Sequence, residues 1–251
     1  GSISFLYFAD RIAQLPLGII GIALGSVLLT SLSKSNASKD KKSFSNDLIT
    51  SFTIGLFFSI PTAVVFINFS DLFIRVLFER GEFTSLETTQ TSYALIAYSF
   101  GIPAFIILKS CQPAFFAEGN TKTPLYVGII LLTLNVFLSI LFMYYWRHAG
   151  IALATSISSW IGVIIYLLLL IKGGKILKSG NNQLNRHLSF NSLVVYFFKI
   201  FMVSLIMLAI MKLFFHILLI YQINEILSIS VIVFFGLLTY VLTTFILGYI
   251  P

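Results

Sequence analysis

Six stretches of this chain carry no Asp, Glu, Lys or Arg: Ile12–Ser33, Leu48–Ser70, Thr88–Leu108, Thr123–Trp146, His148–Ile171 and Ile226–Pro251. Each exceeds the roughly 18 apolar residues that mark a membrane-spanning helix. A seventh, Leu193–Leu219, is interrupted by Lys199 and Lys212. About 20 Å of helix separates these lysines at 1.5 Å per residue, so each snorkels to a different headgroup layer. The runs are uniformly apolar rather than alternating, which excludes a membrane β-barrel. Composition agrees: of 251 residues only 10% are charged and 58% are apolar, with a mean hydropathy of +0.98. So few charges cannot cover a soluble core. The expected fold is therefore an all-α integral membrane protein of seven transmembrane helices.

Loop charges set the expected orientation. Lys34, Lys39, Lys41 and Lys42 follow the first span, Lys122 the third, and Lys172, Lys175, Lys178 and Arg186 the fifth. The alternate loops hold only Arg75, Arg80 and Arg147. The positive-inside rule puts the Lys-rich loops in the cytoplasm, the start of the chain outside and its end inside. The net charge of +7 is thus a topology signal, and no nucleic-acid partner is expected. An odd number of spans that begins outside, with no signal peptide, suggests the C-terminal part of something longer. Three units are expected: a five-helix bundle over 1–172, a polar cytoplasmic loop over 173–192, and two further helices over 193–251.

The residues least suited to hydrocarbon open the first span. Asp10 and Arg11 precede Gln14, and Pro16 interrupts the backbone. At 100° per residue Arg11, Gly18, Gly21 and Gly25 fall within about an 80° arc, so the arginine heads a stripe of small residues. Gly21 and Gly25 form the Gly-x-x-x-Gly spacing that admits a close neighbour. Two readings of Asp10 and Arg11 compete: an interfacial ion pair that anchors the helix, or an arginine that grips an anion in a water-filled cavity. Guanidinium is always charged and bidentate, which suits phosphate and pyrophosphate.

Other polar groups have simpler readings. Asn135 and Ser139 lie in the fourth span and Thr155, Ser156, Ser158 and Ser159 in the fifth. Such groups ordinarily bond between helices or back to a carbonyl, although Asn135 and Thr155 oxygens could together hold a monovalent cation. Lys109 reads as a snorkelling residue, Cys111 as a small packing residue, and Glu79, Arg80 and Glu82 as a solvated cluster. His148, His187 and His216 sit at span ends without metal-ligand spacing. No arrangement points to catalysis.

The motifs Ala9-Asp10-Arg11, Leu15-Pro16-Leu17-Gly18-Ile19-Ile20-Gly21 and Leu77-Phe78-Glu79-Arg80-Gly81-Glu82-Phe83-Thr84 follow one another in order. So do Pro113-Ala114-Phe115-Phe116-Ala117, Asn120-Thr121-Lys122-Thr123-Pro124 and His148-Ala149-Gly150-Ile151-Ala152. Together they resemble the MurJ/MviN family of lipid II flippases, in the multidrug/oligosaccharidyl-lipid/polysaccharide exporter superfamily. The resemblance implies helices 8–14 of a 14-helix, two-lobed transporter of the bacterial inner membrane, with the first lobe as its partner. It also implies flipping of undecaprenyl-pyrophosphate-linked peptidoglycan precursor by alternating access, with Arg11, oriented by Asp10 and supported by Gln14, as a substrate contact. Pro16, Gly18, Gly21 and Gly25 become the packing and hinge positions. The two last helices become a hydrophobic groove for the lipid tail.

The resemblance implies no cofactor beyond a coupling monovalent cation, sodium or proton. Asn135, Ile151 and Thr155 match a sodium pattern, yet Ser139 stands where a carboxylate is expected. Thr30 replaces a proline common in the family, so the helix is expected to be straighter there. The rival readings are a flippase of another lipid-linked glycan, a multidrug antiporter of the superfamily, and a non-transporting membrane scaffold subunit.

Overall fold

A computed structural model describes residues 2–176 and 190–249. Lys178, Arg186 and His187, most of the loop expected over 173–192, and the last two residues of the final span lie outside the described residues. The helices are α1 (Ser2–Pro16), a π-helical turn (Leu17–Gly21), α2 (Ile22–Ala37), α3 (Lys41–Phe78), α4 (Ser85–Phe116), α5 (Lys122–Lys172), α6 (Phe190–Ile220) and α7 (Glu225–Ile246). No strand occurs among the described residues.

Three helices begin where an N-cap side chain satisfies the first amides. Asp40 accepts from the backbone N–H groups of Lys42 and Ser43 at 3.1 Å each to start α3. Thr84 and Glu87 form a capping box that starts α4. Asn224 accepts from Ile226 N–H at 3.1 Å to start α7. The sequence of α1 and α2 explains the turn between them. Pro16 has no N–H and its ring crowds the carbonyl four residues back, so the ladder widens into a π turn. α2 then runs unbroken through Thr30.

Six long helices, counted with α1 and α2 as one rod, are apolar enough to cross a membrane. The sequence reading expects seven, and the difference lies at Arg147. The fourth and fifth expected spans are the two arms of α5, which is broken at Arg147, and they lie side by side. In a straight rod Asn135 and Thr155 would be about 30 Å apart, yet their side chains hydrogen-bond at 3.4 Å. A Cβ on Gly162 would lie 2.5 Å from Leu131 Cδ1. The reversal is made at Arg147, whose φ of 49° and ψ of −130° interrupt the helix. Gly150 seats the second arm directly on the first: a Cβ there would stand 2.3 Å from the Phe142 carbonyl oxygen.

α3 and α4 form the buried centre, and the other elements pack around them. α4 is held to the second arm of α5 by three bonds to its carbonyls. Ser156 Oγ donates to Ala97 at 2.6 Å and Trp160 Nε1 to Phe100 at 3.0 Å. The His148 ring meets the Gln90 carbonyl at 2.9 Å. The α6–α7 hairpin packs on α3, where Tyr240 donates to the Phe57 carbonyl at 2.6 Å. At the opposite end from the Lys-rich loops, Arg75 bridges Asp71 and Glu225 at 2.5 and 3.2 Å.

Because backbone rather than side chain confronts residue 150, Gly150→Val should destabilise the protein by about 1–3 kcal/mol. Thermal melting in detergent checks this. Gly128→Ala is the control, since nothing lies within 4 Å of a Cβ there, and its melting temperature should stay unchanged.

Candidate functional site

α1 is seated by its apolar face. Ala9, Ile12 and Ala13 are buried against Ile74, Ala94 and Leu95 of α3 and α4. Burying that face turns Arg11 and Gln14 outward, and both are exposed. Asp10 is half-buried and its carboxylate accepts from the Gln14 amide one turn on. The Arg11 guanidinium carbon lies 4.8 Å from the centre of the Tyr7 ring. Among the described residues no carboxylate lies within salt-bridge distance of Arg11. The anchoring ion pair weighed from sequence is therefore not formed, because consecutive helical residues point about 100° apart. Asp10 is engaged by Gln14, and Arg11 keeps its donors free.

Six to ten residues along, the π turn and its glycines receive a second cation. Lys109 of α4 lies across the stripe, its Nζ 3.5 Å from the Leu17 carbonyl. A Cβ on Gly21 would meet Lys109 Cδ at 2.7 Å, while Gly25 faces the Lys109 carbonyl oxygen at 3.9 Å. Gly18 has open space beside it. Sequence alone sends Lys109 toward the headgroups. In the fold its chain instead crosses to the α1–α2 junction. Only the packing of α4 against the rod brings it there. A charged residue in an apolar helix, opposite a run of small residues, is the signal that could have found it.

The single stripe expected from sequence is not formed: the π turn shifts the register, so Gly21 is buried against Lys109 of α4 while Arg11 stands on the exposed side of α1. A guanidinium and an ammonium on apolar helices, with no carboxylate within salt-bridge distance among the described residues, are costly in hydrocarbon. The same arrangement is favourable where the face borders water and an anion.

The fourth- and fifth-span polar groups do come together. Ser139 Oγ donates to Asn135 Oδ1 at 3.0 Å, Asn135 Nδ2 to Thr155 Oγ1 at 3.4 Å, and Thr155 Oγ1 to the Ile151 carbonyl at 3.1 Å. These oxygens are neutral and already bonded to one another. Sodium favours hard oxygen donors with a carboxylate to balance its charge, and Ser139 brings none. The donor set therefore fits a cation poorly. Ser158 and Ser159 return to the Thr155 carbonyl at 3.0 and 2.8 Å. Elsewhere the fold absorbs the remaining polar residues. Cys111 is buried in the core, Glu79 accepts from Thr88 Oγ1 at 2.6 Å, and buried His148 packs its edge on Phe5. Between α3 and the α6–α7 hairpin opens an apolar cleft of about 310 Å³, lined by Phe57, Pro61, Phe66, Met207, Met211 and Tyr240 among others.

Residues 1–242 match the profile of the family described as lipid II flippase MurJ. A probable lipid II flippase MurJ of Buchnera aphidicola subsp. Schizaphis graminum is 35% identical over 207 residues, covering 82% of this chain and 40% of that protein. A probable lipid II flippase MurJ of Rickettsia prowazekii is 40% identical over 160 residues, covering 64% of this chain and 32% of its own. A solved lipid II flippase MurJ in an inward closed conformation superposes with a TM-score of 0.77 at 33% identity, over 98% of this chain and 47% of that one. The chain spans between about a third and a half of the length of these proteins.

Lys109 meets residue 21 through a flexible side chain. Gly21→Ala should therefore lift it from the trough without unfolding the protein, and Gly18→Ala should do neither. Labelling of Lys109 by an amine-reactive reagent, read by mass spectrometry, should rise for the first variant only.

Proposed function

The chain belongs to the lipid II flippase MurJ family, and from that membership we propose that it forms one lobe of a flippase. The whole protein carries an undecaprenyl-pyrophosphate-linked peptidoglycan precursor from the cytoplasmic to the periplasmic leaflet. Residues 1–172 supply the transporter bundle, and the α6–α7 helices supply, with α3, a cleft for the lipid tail. The Lys-rich loops face the cytoplasm, so the α1 end bearing Arg11 faces the periplasm. A first lobe completes the cavity.

One observation carries this reading: Arg11 is exposed and, among the described residues, free of carboxylate partners inside an apolar helix, turned away from the face that packs on α3 and α4. A pyrophosphate presents oxygens that a guanidinium binds bidentately and an ammonium as a point charge. Arg11 takes the head group, and Asp10 holds Gln14 beside it. The Pro16 bend and π turn give the rod a place to flex as the two lobes rock about the substrate. Electrostatic demand for a polyanion argues against a cationic drug as cargo.

Arg11→Ala in the full-length protein should abolish rescue of a flippase-depleted bacterium while leaving membrane expression intact. Arg11→Lys should also fail, because a point charge does not replace the fork. Normal growth with either variant would overturn the assignment of Arg11 to the substrate.

A further inference from the structure

A second cleft opens where α5 reverses. It has a volume of about 540 Å³ and lies between the start of α4 and the turn, lined by Gln90, Tyr93, Tyr145, Trp146, Arg147 and Leu153 with four others. Its wall is aromatic and wet: Tyr93, Tyr145 and Trp146 are 53%, 69% and 56% exposed. The Arg147 side chain is exposed, and among the described residues no carboxylate lies within salt-bridge distance of it. Its backbone stands at φ 49° and ψ −130°, a region that glycine occupies readily and a side chain does not. A strained turn would be relieved by glycine, and arginine stands there instead.

Below the cleft the two helices present matching apolar faces. Tyr93, Phe100 and Ile107 repeat every seventh residue on α4, and Leu153, Trp160 and Leu167 do so on the second arm of α5. Residues seven apart share a helix face, and the Trp160–Phe100 bond aligns the two rows. Ile107, Trp160 and Leu167 go on to line a fully apolar cleft of about 300 Å³ with α3 and α6. A cation, an aromatic collar and an apolar track therefore lie in line from the membrane surface inward.

We propose that this groove is a binding site for an anionic phospholipid, with the lipid phosphate on Arg147 and Gln90 and an acyl chain along Tyr93, Leu153, Phe100 and Trp160. Aromatic side chains favour the headgroup boundary, where one edge is wet and the other apolar. The bound lipid belongs to the leaflet opposite the Lys-rich loops. It contributes a fixed lipid contact where α5 reverses. The leaflet rests on the orientation proposed above, whereas lipid binding does not depend on orientation or on flipping.

Trp146 offers a direct probe. In a Trp160→Phe background, phosphatidylglycerol with brominated acyl chains should quench Trp146 with about fivefold higher affinity than brominated phosphatidylcholine, roughly what one interfacial arginine contributes. Arg147→Gly, which relaxes the backbone, should erase that preference without lowering the melting temperature, and Arg147→Lys should keep part of it. Native mass spectrometry of the chain with Trp160 intact should show the same loss of retained phosphatidylglycerol on Arg147→Gly. Millimolar inorganic phosphate should not displace the lipid; displacement would make the site one for free phosphate. Equal quenching by both lipids, or a preference that survives Arg147→Gly, would overturn the proposal.

Discussion

Hydrocarbon offers no partner for a peptide group, and every other feature of this fold is arranged around that fact. A backbone group left unbonded there costs several kcal/mol. The chain answers with helices that satisfy their own amides, and with caps at Asp40, Thr84 and Asn224 where they begin. What distinguishes this protein is where the ladder is broken. It widens after Pro16, loses its helical geometry at Phe69 inside α3 and reverses at Arg147. At the first of these Lys109 approaches the Leu17 carbonyl. Beside the last, the His148 ring meets the Gln90 carbonyl. Irregular backbone in such a setting persists only where other groups of the protein meet it.

Charge is distributed by the same economy. Carboxylates near the helix ends are engaged: Asp71 and Glu225 by Arg75, Glu118 by Lys175, and Asp47 by the hydroxyls of Ser31 and Ser35. Arg11 and Arg147 have no such carboxylate among the described residues. Arg11 stands on the exposed side of α1, and Arg147 stands beside a collar of aromatics where α5 reverses. A guanidinium left free at one face answers the anionic head group of a carried lipid. At the other it answers the phosphate of a resident one.

Much of the fold was legible because helices in membranes advertise themselves by length. Uninterrupted apolar runs located most of the helices, Leu193–Leu219 being recognised despite Lys199 and Lys212, and lysines between the runs gave the expected order of the loops. Arg11 stood out because an arginine inside such a run has to have a reason. The glycine stripe was legible as a place of close approach, and the identity of what approaches was not. Lys109 looked like a residue reaching for headgroups, since the direction of a long side chain depends on the helix beside it. Likewise Asn135 and Thr155 could be paired on paper. That their oxygens are already spent on Ser139 and Ile151 emerges only once the two arms of α5 are antiparallel.

The amino-acid sequence by itself determined the class of solvent, the helices, the expected orientation and the family likeness. These follow from local quantities, namely hydropathy over about 20 residues, charge between runs and the order of short motifs. Only the tertiary structure decided how the two arms of α5 are paired, that Asp10 turns to Gln14 rather than Arg11, and that Lys109 crosses to the α1–α2 junction. It also aligned Arg147 with the groove between α4 and α5. Each of these depends on which face one helix turns to another. In an apolar medium that choice is made by the fit of side chains across the contact, which no single stretch of sequence contains.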